Sequence, residues 1–322
     1  MRVHSLAISG LVTLDLHSLN NEGAEGNYLQ TRQVQVVDKQ GNTHAVNAIS
    51  GDMFKHIQAE HLYGLATETG LPLCTACARF DANRIVADTE FAAGFNKDAA
   101  DNEILTGAIR RCVLDDAEGI LITSEIGGKK RAIARKSVLE FGWVVGRPEA
   151  TRTESYFHVK YVPEGRGKGS GDETGAGNVG QNIFHRPASS GQYAVVVNVD
   201  LFRLGRNDIT LEYVLPAEER AKRAKAVLQS LLFTFLKPTG AHRNTQHPHV
   251  VDFQGRIAVS ASTVPAPTAS ALNDNYEAEI DRIKAALDKM WPGAVTVEGF
   301  ESLGGYAELV EKIVSQAEPY GG

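Results

Sequence analysis

Cys74 and Cys77, separated by two residues, are the most chemically suggestive pair in this 322-residue sequence. A Cys-x-x-Cys turn can supply half of a tetrahedral zinc site, which asks for four ligands. The sequence offers no second Cys-x-x-Cys and no His-x-x-x-His, so His61 or a more distant histidine would have to complete it. A redox pair belongs at the start of a helix that follows a strand, and Pro72 with the helical pattern before it does not supply that setting. Two small buried thiols are the simpler reading, and no metal or cofactor is assigned. His242, His247 and His249 cluster in TGAHRNTQHPHVV beside Arg243, a composition better suited to polar surface or nucleic-acid contacts than to a metal. Gly175-x-Gly177-x-x-Gly180 has the spacing of a dinucleotide fingerprint. That motif needs a strand leading in and a helix leading out. Here EGRGKGSGDET precedes it and Pro187 follows, so the match is a by-product of glycine content. No nucleophile elbow, phosphate loop or catalytic carboxylate pair is present. Glu22 and Glu25 are the one close acidic pair in a polar loop; they read as exposed, the alternative being the metal-binding carboxylates of a ribonuclease.

The basic residues fall in groups. Lys129, Lys130, Arg131, Arg135 and Lys136 form one run, and Arg166, Lys168, His185 and Arg186 occupy a glycine-rich stretch with Phe184, a ring able to stack on a base. Arg220, Lys222, Arg223 and Lys225 share a helix, where a solvated face explains them equally well. Ser50 and Gly51 open a helix whose free backbone N–H groups suit a phosphate, with Lys55 and His56 in its first turns.

The elements that position these residues begin with a strand. Leu6, Ile8, Val12, Leu14 and Leu16 alternate with smaller or polar residues, the period of a strand with one buried face. Gly10 falls on that face and predicts a bulge or a close backbone approach. RQVQVVDKQGNTHAVNAI reads as a hairpin turning at Gln40-Gly41-Asn42, and Ser50 as the N-cap of a helix that ends at Gly70. Strand formers return over 138–162, and the glycine-rich stretch 163–191 reads as a loop or long hairpin tip. QYAVVVNVDLFRL is a strand, Pro216 opens a helix, and GRIAVSAS is a further strand. STVPAPTAS is a linker by composition, followed by an amphipathic helix from Tyr276 to Met290 and a shorter one near 305–317. The order predicts α+β architecture with an antiparallel sheet of ferredoxin-like or RRM-like type.

Composition excludes little and localises much. Hydrophobic residues at 43% describe a globular chain with a core, and no apolar run is long enough for a bilayer. No signal peptide is evident at the N-terminus, and three cysteines suit a reducing compartment, so the expectation is cytoplasmic. A net charge of −6 argues mildly against a nucleic-acid binder. However, residues 273–322 carry ten acidic and four basic residues, which leaves the first 272 neutral.

The segments ISGLVTLDLHSLNNEGAEGN with Thr31-Arg32, NAISGDMFKHIQAEHL, LPLCTACARFDANRI, FHRPASSGQYAVVVNVDL and TGAHRNTQHPH together resemble the Cas-seven (DevR-type autoregulator) family. Those are Cascade backbone subunits, and the likeness is greatest to type I-A and I-B forms. It runs over roughly residues 3–262. The resemblance implies an RRM-like palm (1–70 and 138–262), an inserted helical finger domain (71–137) and a long thumb hairpin (163–191). A linker (263–272) and an acidic helical C-terminal segment (273–322) complete the expected domains. It implies a non-catalytic subunit of an antiviral CRISPR complex that coats guide RNA (crRNA) as a helical filament. Its partners would be further copies of itself, other Cascade subunits and target DNA paired to the guide, with no membrane. By position, Asn20, Asn27 and Arg32 would make first-loop contacts, and Ser50, Lys55, His56 and Gln58 a phosphate site at the helix start. Arg84 with Lys129, Lys130 and Arg131 would serve the finger, and Arg166, Lys168, Phe184, His185 and Arg186 the thumb, with His242 and Arg243 beyond them. Family members that cut RNA use a first-loop aspartate, and this loop has none. The alternative is a metal-dependent endoribonuclease or RNA-processing protein on the same fold.

Overall fold

The computed structural model describes residues 2–20, 23–25, 28–161, 181–240 and 245–321. The first strand, β1 (Ser5–His17), is followed by the hairpin β2 (Gln33–Val37) and β3 (Thr43–Ile49) and by helix α1 (Gly51–Thr69). A helical segment contains α2 (Thr89–Ala93), α3 (Asp101–Arg111) and α4 (Val113–Glu118). Then come β4 (Leu139–Phe141), the long β5 (Val144–Tyr161) and β6 (Gln181–Val199), and helix α5 (Ala217–Leu236). The chain ends with β7 (His249–Ser260), α6 (Tyr276–Met290), β8 (Val295–Phe300) and α7 (Leu303–Gln316).

One sheet organises the molecule. Its strands run β8-β7-β1-β6-β5-β3-β2, every neighbour antiparallel, with β4 also paired to β6. Ile8 lies opposite Val197 on one side and Ile257 on the other, all essentially buried. Helices α1, α5 and α7 cover this face, and Phe253 stacks on Phe235 with ring centroids 4.6 Å apart. The close approach expected at Gly10 is present: a Cβ there would stand 2.7 Å from the Phe253 ring. Gly10 also faces Gly255 across the β1/β7 pair, so two bare backbones meet under that ring. The α1 boundaries follow the sequence signals. Ser50 Oγ accepts the Met53 N–H, and Gly70 closes the helix at φ +70°.

The single buried face expected for β1 is an incomplete description, because Leu11 and Ala194 on the opposite face are buried too. The C-terminal segment covers them with Ala271, Tyr276 and Ile280. Residues 263–272 form no helix or strand, yet Ala269 N–H donates to Ser9 Oγ and Val264 is buried. The acidic segment is fastened to the body by Arg147–Asp274 and by Arg256, which pairs with Glu277 and Asp281. It also contributes a strand, β8, which the sequence reading omitted. No described helix is long and apolar enough to cross a membrane.

The alternation of β1 breaks at its end. Leu16 adopts φ +52° and is exposed, while His17 turns inward beside the bulge that separates Ser189 from Gly191. His17 Nε2 lies 2.8 Å from Tyr193 Oη, whose hydroxyl donates to Asn47 Oδ1 at 2.9 Å. The hydroxyl therefore accepts from His17, which assigns the Nε2–H tautomer. Nδ1 has no partner among the described residues, and burial holds the imidazole far below its ordinary value, at about 3. The unfolded chain takes up this proton near 6.5 and the folded chain does not, so stability falls as pH drops below about 6.5. At about 1.4 kcal/mol per pH unit, the wild type is expected to lose about 2 kcal/mol between pH ~7.5 and ~5 relative to His17→Gln. The paired comparison removes groups of opposite sense, such as Glu118, whose raised value gives a contribution lost as pH rises. Urea melts of both proteins across this range test it, and parallel curves would refute it.

Candidate nucleic-acid interface

The start of α1 forms one wall of a cleft of about 380 Å³. Asn20 is buried behind it, donating from Nδ2 to Ala48 O at 2.6 Å and accepting the Ser50 N–H at 3.1 Å. It thereby fixes the strand-to-helix turn. Asp52, Lys55 and His56 line the cleft from α1, and Phe80, Asp81, Arg84 and Leu114 face them from the segment that follows. Phe80 and Arg84 have φ of +53° and +50°. Side chains adopt that region only where the surroundings over-determine it. Arg84 Nη1 donates to Gly119 O, and the His56 and Phe80 rings lie 5.7 Å apart. Beneath them Glu118 is fully buried, and burial pushes its carboxyl up to about 6 against the pull of Arg84 and Lys55. Burial lowers the Lys55 ammonium in turn, with Glu118 opposing. The cleft thus presents two cationic side chains and an imidazole beside the Asp52 and Asp81 carboxyl groups, above a buried carboxyl that burial holds above its ordinary range.

A second surface is the β5/β6 hairpin. Within 163–191, residues 181–191 belong to strand β6 rather than to a loop, and pairing continues to Tyr161 opposite Gln181. The reason is side-chain chemistry: ESYFHVKY on β5 and NIFHRP on β6 are strand-forming runs that pair across the ladder. His185 stacks on Tyr28 at 4.3 Å and meets Phe157 at 5.9 Å; Phe184 stacks on His158, and the Arg186 guanidinium lies 4.7 Å from the Phe184 ring centre. Tyr28 and Phe157 are more than half exposed. Tyr28, Phe157 and His158 were not singled out from sequence, although the three consecutive rings Tyr156-Phe157-His158 were there to signal the last two. Arg32 sits 5.5 Å above the exposed Trp143 ring, near the same edge of the sheet.

Other candidates are placed differently. Gln58 is fully buried and donates to Ser230 Oγ between α1 and α5, so it serves packing. The basic run 129–136 is divided. Lys129 and Lys130 are exposed beyond a two-glycine turn, and Arg131 is held by Asp101 and by Ala99 O. Arg135 is buried against Asp116. Arg220 and Arg223 are buried as well, so the helix face is not simply solvated. Glu22, Asn27, Arg166, Lys168, His242 and Arg243 lie outside the described residues, as does the Gly175–Gly180 match.

A family model described as CRISPR-associated negative auto-regulator DevR/Csa2 matches residues 8–280. The chain belongs to the DevR/Csa2 family. Among curated relatives of this DevR/Csa2 chain, "CRISPR-associated protein Cas7/Csa2 1" of Saccharolobus solfataricus is 23% identical over 285 residues, covering 85% of this chain and 84% of that protein. "CRISPR-associated protein Cas7/Cst2/DevR" of Methanocaldococcus jannaschii is 24% identical and covers 97% and 99%. A solved chain titled "CRISPR RNA-guided surveillance complex, pre-nicking" shares the fold at a TM-score of 0.54 and 14% identity, covering 97% of this chain and 99% of that one. Another, from a "CRISPR RNA-guided surveillance complex", gives 0.50 at 15% identity.

Proposed function

We propose that this chain is a non-catalytic, crRNA-binding backbone subunit that oligomerises along the spacer of a guide RNA in a Cascade interference complex. The observation that carries the proposal is family membership across residues 8–280. The two surfaces described above supply the chemistry. Phosphates bind at the α1 cleft and at Lys129 and Lys130, and bases stack on the aromatic hairpin. The strand order β7-β1-β6-β4, with α1 and α5 on one face, is the arrangement expected of a ferredoxin-like palm. On this reading residues 71–137 are the finger, the β5/β6 hairpin is the thumb, and 273–322 is an acidic brace on the palm. Recognition through backbone and stacking leaves base edges free to pair with target DNA. Partners are guide RNA, neighbouring copies, other Cascade subunits and the paired target, in the cytoplasm.

Purified protein is expected to carry extractable RNA and to run as a large assembly. Stripped of RNA, it should assemble again when guide RNA is supplied. A monomer that stays monomeric with guide RNA would overturn the proposal. Labelled RNA incubated with Mg²⁺ or Mn²⁺ should remain intact; metal-dependent products would favour the endoribonuclease alternative.

A further inference from the structure

The fold supplies the ligands that Cys74 and Cys77 lack in sequence. Cys112, at the α3–α4 junction, and Asp115, in the first turn of α4, converge on the Cys74–Cys77 turn. One donor atom from each of the four residues lies within 4.8 Å of all the others, and all four side chains are buried. We propose that Cys74, Cys77, Cys112 and Asp115 form a structural zinc site.

Zinc bonds of about 2.3 Å to sulfur and about 2.0 Å to oxygen place a tetrahedral sulfur and oxygen about 3.5 Å apart. Cys77 Sγ stands 3.8 Å from Asp115 Oδ2, a few tenths of an ångström from that spacing. The donors are spaced for a single ion, whereas an iron–sulfur cluster spreads its cysteines more widely. Three thiolates with one carboxylate favour zinc over the harder calcium and magnesium. The outer hydrogen bonds are those of a ligand shell. Cys77 N–H points at Cys74 Sγ at 3.3 Å, and Ile85 N–H reaches Asp115 Oδ1 at 3.3 Å. No lysine or arginine forms an ion pair with Asp115 among the described residues, so no side-chain cation occupies its carboxylate. Four protein ligands in a buried setting leave no open position for catalysis.

The ion would join the turn that follows α1 to the α3–α4 junction, closing a loop that includes Phe80 and Arg84. The site therefore also holds one wall of the cleft. His61, the partner considered from sequence, instead bonds to Lys237 O.

The test is metal analysis of the full chain purified under reducing conditions from zinc-supplemented cells. About one zinc per chain is expected, with Cys112→Ser and Asp115→Asn each lowering that content at least about tenfold. Because either variant can fail to fold, the wild type is also treated with a strong chelator. Its melting midpoint should fall by about 10 °C. Added Co²⁺ should then give a thiolate charge-transfer band and intense tetrahedral ligand-field bands. Protein that carries no zinc, melts unchanged in chelator and shows no cobalt bands would overturn the proposal.

Discussion

Asp116→Asn is expected to destabilise the chain by about 3–5 kcal/mol, the cost of breaking a buried ion pair from one side. Asp116 is fully buried on α4. Its Oδ1 accepts from Arg135 Nη2 at 2.7 Å and its Oδ2 from Arg223 Nη1 at 2.9 Å, while the Gly205 N–H reaches both oxygens. Arg223 is likewise fully buried and Arg135 is 3% exposed, so neither guanidinium can recruit water when the carboxylate is lost. Each has further acceptors: Arg135 donates to Arg203 O and Arg206 O, and Arg223 to Ile109 O and Glu219. Those hydrogen bonds hold the arginines in place, so they stay to face an amide that offers one hydrogen toward a like donor. Against a typical total of about 5–15 kcal/mol the loss is large. Urea unfolding should show a lower midpoint, and adding Arg223→Met should cost less than the sum of the two single changes because the partners are coupled. A loss below about 1 kcal/mol, or additive effects, would remove the network from any account of how the 71–137 segment is bolted to the sheet.

The sequence disclosed this network only as two unrelated basic groups, and the reason is general. Arg135 lies in a run that ends at Lys136, and Arg223 lies on a helix beside Lys222 and Lys225. Composition cannot separate a solvated arginine from one that meets a carboxylate 107 residues away in sequence. Local signals fared better wherever the cause was local. The Ser50 cap, the Gly70 stop and the Gly41 turn each depend on backbone geometry or a near neighbour, whereas Gly10 announced a close approach without naming Phe253 as the partner. The second buried face of β1 depends on Tyr276 and Ile280, far down the chain, and alternation within β1 carries no trace of them. Cys112 and Asp115 are the same case for the metal ligands: Cys77 meets Asp115 across 38 residues. For the candidate interface, the sequence identified the α1 start and the Phe184–Arg186 run. It could not show that Gln58 and Arg135 are committed to packing, or that Tyr28 joins His185.

Sheet order also bears on the tension between net acidity and the proposed RNA binding. The segment that holds the acid excess supplies β8, at one end of the path β8-β7-β1-β6-β5-β3-β2. Arg32, at the start of β2, and the α1 cleft, which follows β3, belong to the other end. Four strands lie between β8 and β3 in that order, so with neighbouring strands about 4.8 Å apart β8 and β3 lie more than a Debye length apart at physiological salt. Exposed charge on β8 is then largely screened from the α1 cleft, whereas Asp274 of the same segment reaches Arg147 on β5.

That separation sets the largest functional effect expected. Replacing Arg32, Lys55, Lys129 and Lys130 together by glutamine should weaken binding of single-stranded RNA at least about 100-fold at moderate salt, if each meets a phosphate. The slope of log affinity against log salt should fall by about 2.8, at roughly 0.7 for each phosphate that a single strand no longer has neutralised. Phe157→Ala with His185→Ala is the opposite probe. Each base that can no longer stack should cost about 1–3 kcal/mol, while the salt slope stays unchanged because no charge has been removed. Filter binding over a range of salt concentrations separates the two contributions in one experiment. If the glutamine variant binds as tightly as the wild type, the α1 cleft and the Lys129–Lys130 turn are not where phosphates sit. If the aromatic variant binds as tightly as the wild type, bases do not stack on the Phe157 and His185 rings.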